Sequence, residues 1–461
     1  MEFKPHKYQK PLIQSLKEKD HYGLFAFPGS GKTVMALEAI FHHRKRTLII
    51  APLSILYATW LNEHKKWDFA NDLKISLLHG KEKDENFHKS AQVYLINPEG
   101  IPWLVAKIKS TKHFAFKTLI VDESVKFKSA KSKRFKELKK ILKTFENRYI
   151  LCGNPIPNHF ADLWAQLYIL DLGKRLGTSY YAFQNQYFYP TDYKRYNWAL
   201  KPGAQNEIIH LLSDITAFVD IDSELGLPNR VTIDIPIRIP PIARKAYKDM
   251  ERELFAILDN EESTSVLADN RTSALMKCWQ IANGFIYTYD GEDKRITHSL
   301  HNELVTIAKE KVEELQGQPI LIAYHFNEDE KRLKEAFPNA IFIGDGSEMQ
   351  FIEKAWNTNK ISILITQMNK ISHGVNLQYG NGRTIMFYSL TYNYDTYDQL
   401  IRRMERQGST HSSIIVIRLI AENTIHEAII KTIESKGSMS SEFLQNLLNY
   451  RLNHQSNVSV K

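Results

Sequence analysis

Short apolar runs alternate with longer amphipathic stretches along the first 170 residues of the chain. Apolar runs of about four to eight residues bounded by turn residues are typical of buried strands, and the stretches between them have the period of surface helices. This alternation predicts βαβ units around a parallel sheet. The predicted strands cover Gly23–Phe27, Thr47–Ala51, Val93–Asn97, Thr118–Val121 and Arg148–Cys152.

A second alternating series extends from about residue 300 to residue 435 and predicts a second α/β lobe. Its predicted helices include Glu328–Ala336 and Tyr394–Arg406. Its predicted strands cover Pro319–Tyr324, Ala340–Ile343, Ser362–Thr366, Thr384–Tyr388 and Ile414–Leu419.

The region between the two series has a different character. Residues 171–210 are rich in aromatic and basic side chains, Ile235–Pro241 is a proline-rich stretch that favours a linker, and Ala243–Gly284 has helical periodicity. We therefore expect two α/β lobes joined through a helical middle region. The expected segments are 1–170 for lobe 1, 171–240 for the aromatic insertion and linker, 241–300 for the helical segment, 301–440 for lobe 2 and 441–461 for a C-terminal helix and tail.

The composition is that of an ordinary soluble protein, with 43% hydrophobic and 25% charged residues in a chain of 461. No apolar run reaches the roughly 18 residues of a membrane-spanning helix, and the N-terminus lacks the apolar core of a signal peptide. The two cysteines are too few for a disulfide framework or a cysteine-rich zinc site. These features exclude secreted, membrane-spanning and zinc-finger classes and predict a cytoplasmic protein, in the host cytoplasm if the chain is viral.

The net charge of +9 is concentrated in one segment, because nine basic residues and one acid lie between Lys126 and Lys143. Such a segment attracts polyanions and gives a salt-sensitive affinity for them. A solvated helix face is the alternative interpretation, since lysine is common on exposed helices. The charge pattern by itself leaves both interpretations open.

The sharpest chemical signal is Ala26–Thr33, which reads Ala-Phe-Pro-Gly-Ser-Gly-Lys-Thr, follows a predicted strand and opens an apolar helix. A glycine-rich turn lets successive backbone N–H groups point at phosphate oxygens, and the helix N-terminus adds partial positive charge. Lys32 is predicted to reach the β- and γ-phosphates, and the Thr33 hydroxyl to bind Mg²⁺. Ala26 stands where the strict phosphate-loop motif has glycine.

A second signal is the apolar strand that ends in Asp122 and Glu123. The carboxyl ends of parallel strands meet at one edge of a sheet, so these carboxylates are expected beside the phosphate loop. Asp122 is predicted to hold Mg²⁺, and Glu123 is predicted to orient the attacking water.

Further motifs resemble, in order, those of the Snf2-type superfamily 2 helicase-like ATPases. Leu151–Asn158 is similar to motif III of that family, Asp122–Ser129 to its Asp-Glu-Ala-His motif, and Ile50–Ser54 to motif Ia. Val125 stands where the family has histidine, which puts in doubt the link that this histidine makes to motif III. Upstream, Tyr8-Gln9 lies where the family places an adenine-reading glutamine.

The second lobe has matching motifs. Residues 361–377 resemble motif V and include Gly374 and Asn376. Residues 398–408 resemble motif VI, with Arg403 and Arg406 as its arginines. A spacing of three places both arginines on one face of a helix. Arg406 is the stronger candidate for an arginine that stabilises transition-state charge.

The resemblance implies two RecA-like lobes with parallel sheets, and ATP with Mg²⁺ in the cleft between them. The implied catalytic residues are Lys32, Asp122, Glu123, Arg403 and Arg406, with Thr33 and Asp122 at the metal. The implied ATP-binding residues are Tyr8, Gln9, Pro28, Gly29, Ser30, Gly31, Lys32, Thr33, Gly374 and Asn376. The implied DNA contacts are Pro52, Leu53, Ser54, Asn97, Tyr324, His325, Thr366 and Gln367.

The expected function is an ATP-dependent DNA helicase or translocase of the compact type found in bacteriophages. It is expected to act as a monomer on duplex, forked or branched DNA, with recombination or replication proteins as candidate partners and no membrane partner. An RNA helicase, a P-loop phosphotransferase and a non-catalytic nucleic-acid clamp are the alternatives. The aromatic segment 180–198 is predicted to pack as a small core of its own, and stacking of its rings on unpaired bases is the alternative.

Overall fold

The computed structural model describes residues 1–26, 29–111, 116–156, 159–193, 195, 197–219, 227–259, 265–290, 295–344, 349–371 and 375–435. The chain divides into two compact units, which we call unit 1 (described residues up to 219) and unit 2 (described residues from 227). The predicted C-terminal helix and tail at 441–461 lie outside the described residues, as do Pro28 and Gly374 of the predicted ATP site.

Unit 1 is built on a parallel sheet. Its strands are β1 (His21–Ala26), β2 (Thr47–Ile50), β3 (Ile75–Leu77), β4 (Val93–Ile96), β5 (Thr118–Asp122), β6 (Asn147–Cys152), β7 (Phe188–Pro190), β8 (Trp198–Leu200) and β9 (Thr216–Val219). Seven of them form one sheet in the order β3-β4-β2-β5-β6-β1-β9, with every pair parallel. Strands β7 and β8 form a separate antiparallel hairpin.

Helices cover both faces of this sheet. The helices of unit 1 are α1 (Gln9–Glu18), α2 (Lys32–His43), α3 (Leu53–Ile55), α4 (Leu61–Glu63), α5 (Lys83–His88), α6 (Ile101–Thr111), α7 (Lys133–Lys139), α8 (Asp162–Asp171), α9 (Tyr180–Tyr187) and α10 (Ala204–Leu212). Successive strand residues face opposite sides, so Phe25 and Ile150 lie in one apolar cluster and Leu24 and Leu151 in the other. Burial on both faces explains the uninterrupted apolar runs of these strands.

Unit 2 repeats this plan. Its strands are β10 (Asn229–Ile237), β11 (Phe285–Tyr289), β12 (Arg295–Ser299), β13 (Ile320–Tyr324), β14 (Ile341–Ile343), β15 (Ile363–Gln367), β16 (Thr384–Phe387) and β17 (Ser413–Ala421). Six of them form a parallel sheet in the order β10-β17-β16-β13-β15-β14, and β11 pairs with β12 in an antiparallel hairpin. Alternate residues of β13 again divide between two apolar clusters, Leu321 in one and Ile322 in the other.

The helices of unit 2 include the predicted helical middle region. They are α11 (Pro241–Asp259), α12 (Ser265–Ala282), α13 (Glu303–Glu314), α14 (Asn327–Ala336), α15 (Met349–Asn357), α16 (Met368–Ile371) and α17 (Tyr394–Ile401), and residues 425–435 are also helical. Tyr247 of α11 and Trp279 of α12 are buried in the same apolar cluster as Leu321, so this region belongs to the core of unit 2. No helix in the described ranges is long and apolar enough to cross a bilayer.

The predicted fold class, two RecA-like α/β lobes with parallel sheets and a helical middle region, is confirmed. The prediction of a linker is wrong at 235–237, because these residues complete β10, which pairs with β17 from Asn229–Ser413 to Ile237–Ala421. Apolar residues alternate with other residues from Val231 to Ile237, which is the period of a strand. The position of β10 at the sheet edge tolerates Pro236, which lacks an N–H group.

Candidate nucleotide site and nucleic-acid interface

The phosphate loop connects the carboxyl end of β1 to the first turn of α2. Gly29 and Gly31 have φ angles of 91° and 76°, and Gly31 immediately precedes Lys32, the first residue of the helix. Glycine adopts positive φ without the strain that a side chain would cause. The two glycines therefore allow the loop to curl around an anion at the end of α2 where the helix dipole is positive.

Tyr8 and Gln9, which the sequence places at the nucleotide, fasten this loop. The Tyr8 hydroxyl and Gln9 Nε2 both donate hydrogen bonds to the Ser30 carbonyl, at 3.1 and 3.0 Å. Gln9 Oε1 accepts a hydrogen bond from the backbone N–H of His6 at 2.9 Å. A Cβ atom at Gly31 would lie 2.6 Å from Gln9 Nε2. Gln9 thus lies directly against the phosphate loop and binds main-chain groups at both ends of its amide.

The polar groups of the loop suit a phosphate ligand. Lys32 Nζ donates to the Ala26 carbonyl at 2.6 Å, so the ammonium lies over the loop, and Thr33 is half-buried in the first turn of α2. Ser30 Oγ is buried and has no hydrogen-bond partner among the described residues. A buried hydroxyl without a partner is unfavourable. A phosphate oxygen would supply the acceptor that Ser30 lacks.

Asp122 and Glu123 end strand β5 as buried carboxylates, 6% and 9% exposed. Asp122 Oδ2 accepts a hydrogen bond from Trp60 Nε1 at 3.0 Å, and Oδ1 accepts the backbone N–H of Glu123 at 3.0 Å. Burial, and after it the charge of Glu123, raises the pKa of Asp122 to about 6, while the charge of Lys32 acts in the opposite direction. Asp122 pairs with Leu151 of β6, and Leu151 pairs with Leu24 of β1, two residues before the Ala26 carbonyl that binds Lys32. The end of β5 and the phosphate loop therefore lie two strands apart at the carboxyl edge of one sheet.

The donor set fits Mg²⁺ bound together with a nucleotide. Within the described ranges, no group of three or more His, Cys, Asp or Glu side chains is arranged to hold a metal ion. Mg²⁺ in phosphoryl-transfer sites commonly takes one or two protein ligands and completes its shell with phosphate oxygens and water. The Thr33 hydroxyl and the Asp122 carboxylate match that pattern, so we expect Mg²⁺ affinity to depend on the phosphates.

The predicted nucleic-acid contacts of unit 1 follow strands β2 and β4. Pro52 and Leu53 are half-buried and Ser54 is exposed. Asn97 is half-buried, and its Nδ2 donates to Glu99 Oε2 at 2.9 Å. In the order of the sheet, β5 and β6 lie between β2 and β1. The phosphate loop and the predicted DNA contacts therefore occupy different parts of the same sheet edge.

Two predicted DNA contacts of unit 2 are wrong for the side chains concerned. Tyr324, 1% exposed, ends β13, and its hydroxyl donates to Glu330 Oε2 at 2.6 Å. Thr366, 0% exposed, lies in β15. Because side chains alternate between the faces of a strand and helices cover both faces here, these two groups face the interior and not a phosphate backbone.

His325 and Gln367 lie closer to the surface, and both are half-buried. Gln367 Nε2 donates to the His325 carbonyl at 3.0 Å, and the His325 N–H donates to Ser389 Oγ at 2.6 Å. The imidazole stacks on Trp279 with 4.5 Å between ring centroids. Burial lowers the pKa of His325 to about 4, so the ring is neutral at neutral pH and brings no positive charge to a phosphate.

The predicted helix over 394–406 ends at Ile401, and the following residues form turns. The expectation that Arg403 and Arg406 share a helical face is therefore wrong. Arg402 Nε donates to Asp398 Oδ2 at 2.8 Å, and the buried Arg403 donates through Nε to the Gln399 carbonyl at 3.2 Å. These side chains fold back onto the last turn of α17, where the helix stops.

A buried ionic network holds this end of α17. Asp398 accepts a hydrogen bond from Arg230 Nη2 at 3.0 Å as well as from Arg402. Arg230 also binds Glu405, with 2.6 Å between Nη2 and Oε2. Burial alone would raise the pKa of Asp398, but the charges of Arg402 and Arg230 hold it below its ordinary value. The segment that contains the predicted arginines is therefore anchored on strand β10.

Arg406 and Asn376 come together within unit 2. Arg406 Nη1 donates a hydrogen bond to Asn376 Oδ1, and the Asn376 N–H donates to Glu353 Oε2 at 3.0 Å. Burial lowers the pKa of Arg406 to about 10 and the charge of Glu353 counters it, so the guanidinium is protonated at neutral pH. Arg406 Nε is buried and has no hydrogen-bond partner in the described part of the chain. This guanidinium thus keeps a donor for an anionic ligand.

The aromatic segment is partly packed, as predicted, although it does not form a core of its own. Phe183, Tyr187 and Phe188 are at most 3% exposed and lie in the core of unit 1. Tyr189, 45% exposed, and Tyr193, fully exposed, instead project from the β7–β8 hairpin and its connection. These two rings are free to stack on a ligand.

The basic segment 126–143 presents its charges to solvent. Helix α7 turns Phe135 and Leu138 to the core. Three of the basic residues pair with acids, Lys128 with Asp162, Arg134 with Glu99 and Lys140 with Glu137. Six exposed lysines have no ion pair with a described residue, and one of them, Lys139, lies over the Tyr168 ring. The other five are Lys126, Lys131, Lys133, Lys136 and Lys143. We call these five the free lysines.

Three residues that the sequence did not single out position the predicted ones. Trp60 binds Asp122, Arg230 binds Asp398 and Glu353 binds Asn376. Each is a residue type that is common in ordinary helices and strands, and each reaches its partner only through the tertiary fold. The π-helical turn Leu56–Trp60 after β2 is a local irregularity of the kind often found at functional sites, but no sequence pattern predicts it.

Comparison with known proteins identifies a family and several relatives. The SNF2-related domain family model matches residues 10–284. A putative protein p41 of Acyrthosiphon pisum secondary endosymbiont phage 1 is 30% identical over 466 residues, which cover 96% of this chain and 98% of the relative. An ATP-dependent helicase of Mycoplasma pneumoniae is 24% identical over 95% of this chain, which spans 42% of that relative's length. The Sulfolobus solfataricus SWI2/SNF2 ATPase core, solved in complex with dsDNA, aligns over 97% of both chains with 20% identity and a TM-score of 0.45.

Proposed function

Because this chain belongs to the SNF2-related family of helicase-like ATPases, we propose that it is a motor whose ATP hydrolysis is stimulated by DNA and drives movement along it. The observation that supports the proposal is the proximity of Lys32 and Asp122 at the carboxyl edge of the unit 1 sheet, where β1 and β5 end two strands apart. A phosphate loop and a buried carboxylate pair are the parts that phosphoryl transfer needs.

Each residue of this site has a role in the proposed reaction. Lys32 and the N-terminus of α2 bind the phosphate oxygens, and Glu123 orients the attacking water and accepts its proton. Asp122 and Thr33 would hold Mg²⁺, which would neutralise charge on the phosphates. Trp60 fixes the Asp122 carboxylate through the 3.0 Å hydrogen bond. Catalysis thus comes from positioning and charge, with no covalent intermediate on the protein.

We assign to Arg406 of unit 2 the role of the motif VI arginine that the resemblance implies. Its guanidinium is protonated at neutral pH, oriented by Asn376, and retains an unpaired Nε donor among the described residues. An arginine with these properties stabilises the negative charge of a phosphoryl-transfer transition state. Arg403 has a smaller role in the proposal, because it is buried and donates to the chain itself.

DNA is the proposed track. The free lysines of the basic segment give unit 1 an exposed, positively charged surface. Ser54 and Asn97 lie at the carboxyl edge of the unit 1 sheet. Phosphate contacts by lysine release counterions and make affinity fall steeply with salt. We include forks and branched intermediates among the substrates because Tyr189 and Tyr193 offer exposed rings to unpaired bases.

ATP hydrolysis measured in parallel with different polynucleotides tests the proposal. The set comprises no polynucleotide, single-stranded DNA, blunt duplex, a four-way junction and RNA, each with wild type and with Lys32→Ala. We expect strong stimulation by duplex or junction DNA in wild type. Lys32→Ala should abolish hydrolysis while DNA binding stays largely intact, because its side chain acts on the phosphates and not on the track.

The outcomes separate the alternatives. Equal rates of ATP hydrolysis with every polynucleotide and without any would contradict coupling to nucleic acid and favour a simple P-loop phosphotransferase. Stimulation by RNA above that by DNA would indicate an RNA helicase. Loss of DNA binding together with hydrolysis in Lys32→Ala would mean that the variant is misfolded or that the nucleotide site is wrongly assigned.

A further inference from the structure

A buried hydrogen-bonded bridge links the residue after Glu123 to the turn that follows β6. Ser124 Oγ donates to Gln166 Oε1 at 2.8 Å. Gln166 Nε2 donates to the Pro155 carbonyl at 2.7 Å and to the Asp162 carbonyl at 2.9 Å. Ser124 and Gln166 are both 0% exposed. A glutamine buried in an apolar core is uncommon unless its polar atoms are fully bonded, as they are here.

The hydrogen-bonding partners fix the orientation of the Gln166 amide in this bridge. The Pro155 and Asp162 carbonyls can only accept hydrogen bonds, so the amide NH₂ of Gln166 must face them. Gln166 Oε1 must then face Ser124, and the Ser124 hydroxyl must donate. Removing either side chain leaves a buried polar group without its partner. The bridge therefore has a single bonded arrangement and not several equivalent ones.

One end of the bridge stands next to the water-orienting carboxylate. Glu123 has a φ of 53°, a left-handed conformation that is uncommon for a residue with a side chain and needs support from its surroundings. It opens the 3₁₀ helix Ser124–Phe127, whose first residue is the bridge serine. Val125, the next residue, has no polar group and packs against the apolar core. The polar link from this 3₁₀ helix is therefore made by Ser124.

The same 3₁₀ helix leads directly into the basic segment. Lys126 lies within it, and Lys128 follows it and pairs with Asp162 Oδ2 at 3.8 Å. Asp162 is also the residue whose carbonyl accepts from Gln166. The start of the basic segment, the first residue of α8 and the turn at Pro155 are thus joined through Gln166. A polyanion bound by the basic segment would act on this assembly.

We propose that Ser124 and Gln166 are positioning residues that couple DNA binding on the basic segment to the orientation of Glu123. The inference rests on the proposed DNA-stimulated ATPase and names the path by which stimulation reaches the reaction. Without the bridge, the first residue of the 3₁₀ helix loses its buried hydrogen bond to α8, so DNA on the lysines no longer sets the position of the carboxylate next to it. Neither positioning residue touches ATP in this scheme.

Turnover of Ser124→Ala and Gln166→Leu with and without duplex DNA tests the inference. The stimulation factor, which is the ratio of these two rates, should fall about tenfold or more, because small displacements of a water-orienting group have effects of that size. KM for ATP should change little. The double variant should lose no more than the more affected single variant, because the two side chains form one bridge.

A matched control removes a buried hydroxyl that has no part in the bridge. Thr216 is 1% exposed, and its hydroxyl donates to the Leu212 carbonyl at 2.9 Å. Thr216→Val should keep the stimulation factor of wild type. An equal loss in this control, additive losses in the double variant, or wild-type stimulation in Ser124→Ala would each overturn the inference.

Gln166→Glu tests the bridge even if the other variants fold poorly. The carboxyl group that this substitution introduces can donate to the Pro155 carbonyl and accept from Ser124 only while it is protonated, because a carboxylate has no donor. The stimulation factor of Gln166→Glu relative to wild type should therefore fall as pH rises, and a flat ratio would overturn the inference. Absence of stimulation in wild type itself would instead refute the proposed function, and the inference with it.

Discussion

The indole N–H of Trp60 donates a hydrogen bond to Asp122 Oδ2 at 3.0 Å, although 62 positions separate the two residues in the chain. Both side chains are buried, and Asp122 has a pKa of about 6 chiefly because of that burial. A buried carboxylate whose two oxygens accept fixed hydrogen bonds keeps its remaining lone pairs in defined directions. We therefore infer that Trp60 would orient Asp122 for Mg²⁺ in the proposed site before a nucleotide binds.

Replacement of Trp60 by phenylalanine should lower the apparent affinity for Mg²⁺ without unfolding unit 1. Phenylalanine fills most of the space but cannot donate to Asp122. Loss of a partner that orients a metal ligand typically costs about 10- to 100-fold in metal affinity or activity. We expect the Mg²⁺ concentration for half-maximal ATP hydrolysis to rise by about that factor.

Trp164→Phe is the control for this substitution. Trp164 is likewise buried, and its Nε1 donates to the Gly177 carbonyl at 3.1 Å. The control should keep the Mg²⁺ dependence of wild type. If both variants show the same Mg²⁺ dependence, Trp60 has no special role at the metal.

Asp122→Asn should favour the fold more at alkaline than at acidic pH while it abolishes hydrolysis. The pKa of Asp122 rises from 3.8 to about 6 on folding. A carboxyl group with a raised pKa favours the fold most when it is protonated, and this contribution is lost as pH rises through about 6. Asparagine removes the buried charge and still accepts a hydrogen bond from Trp60, but its NH₂ group then faces the Glu123 N–H, so that hydrogen bond is lost at every pH.

Denaturant unfolding of wild type and Asp122→Asn without ATP or Mg²⁺ measures this effect. Between pH 4 and pH 8, the free energy of unfolding of the variant minus that of wild type should rise by about 2 to 3 kcal/mol. Charges elsewhere in the chain cancel in the comparison. A difference that falls as pH rises, or one that does not depend on pH, contradicts the account of this carboxylate.

Arg406→Ala should reduce turnover far more than ATP affinity. An arginine that acts on the transition state is worth about 10³- to 10⁵-fold in kcat, and its removal leaves ground-state binding nearly unchanged. Asn376→Ala should cause a smaller loss, because it removes only the group that orients Arg406. Normal turnover in a folded Arg406→Ala protein would refute this assignment and direct attention to Arg403.

Tyr193→Ala should impair the separation of forked DNA but not hydrolysis stimulated by blunt duplex. Tyr193 is fully exposed, and stacking of one base on an aromatic ring is worth about 1 to 3 kcal/mol. Strand separation measured on a labelled fork should fall accordingly. Tyr289→Ala, which removes a ring that is 67% exposed in β11, should leave it unchanged. Equal rates for both variants would mean that the hairpin does not meet unpaired bases.

Much of the fold is predictable because its strands are buried on both faces. The run Leu119–Val121 is apolar without interruption and ends in the two carboxylates, so composition and position together indicate a central strand that leads to a site. The phosphate loop is equally local, since Gly29 and Gly31 supply conformations that the loop needs within a few residues. The hydrophobic pattern therefore predicts the buried strands, and the local sequence predicts the phosphate loop.

The remaining features depend on contacts between distant parts of the chain. The Trp60–Asp122 bond and the Ser124–Gln166 bond exist only after the sheet has formed. The end of α17 at Ile401 depends on side chains that fold back onto the helix and on the ion pairs of Arg230. Hydrophobic period does not encode such contacts, which is why the sequence alone predicts one continuous helix over 394–406.

The central claim, that hydrolysis drives movement along DNA, is tested most directly by displacement of a third strand from a DNA triplex. A labelled oligonucleotide is bound in the major groove at one end of a duplex, and its release is followed with wild type and Lys32→Ala. The account predicts rapid release by wild type that requires ATP, and only spontaneous release with Lys32→Ala. Duplex-stimulated hydrolysis by wild type with release no faster than the spontaneous rate would contradict it.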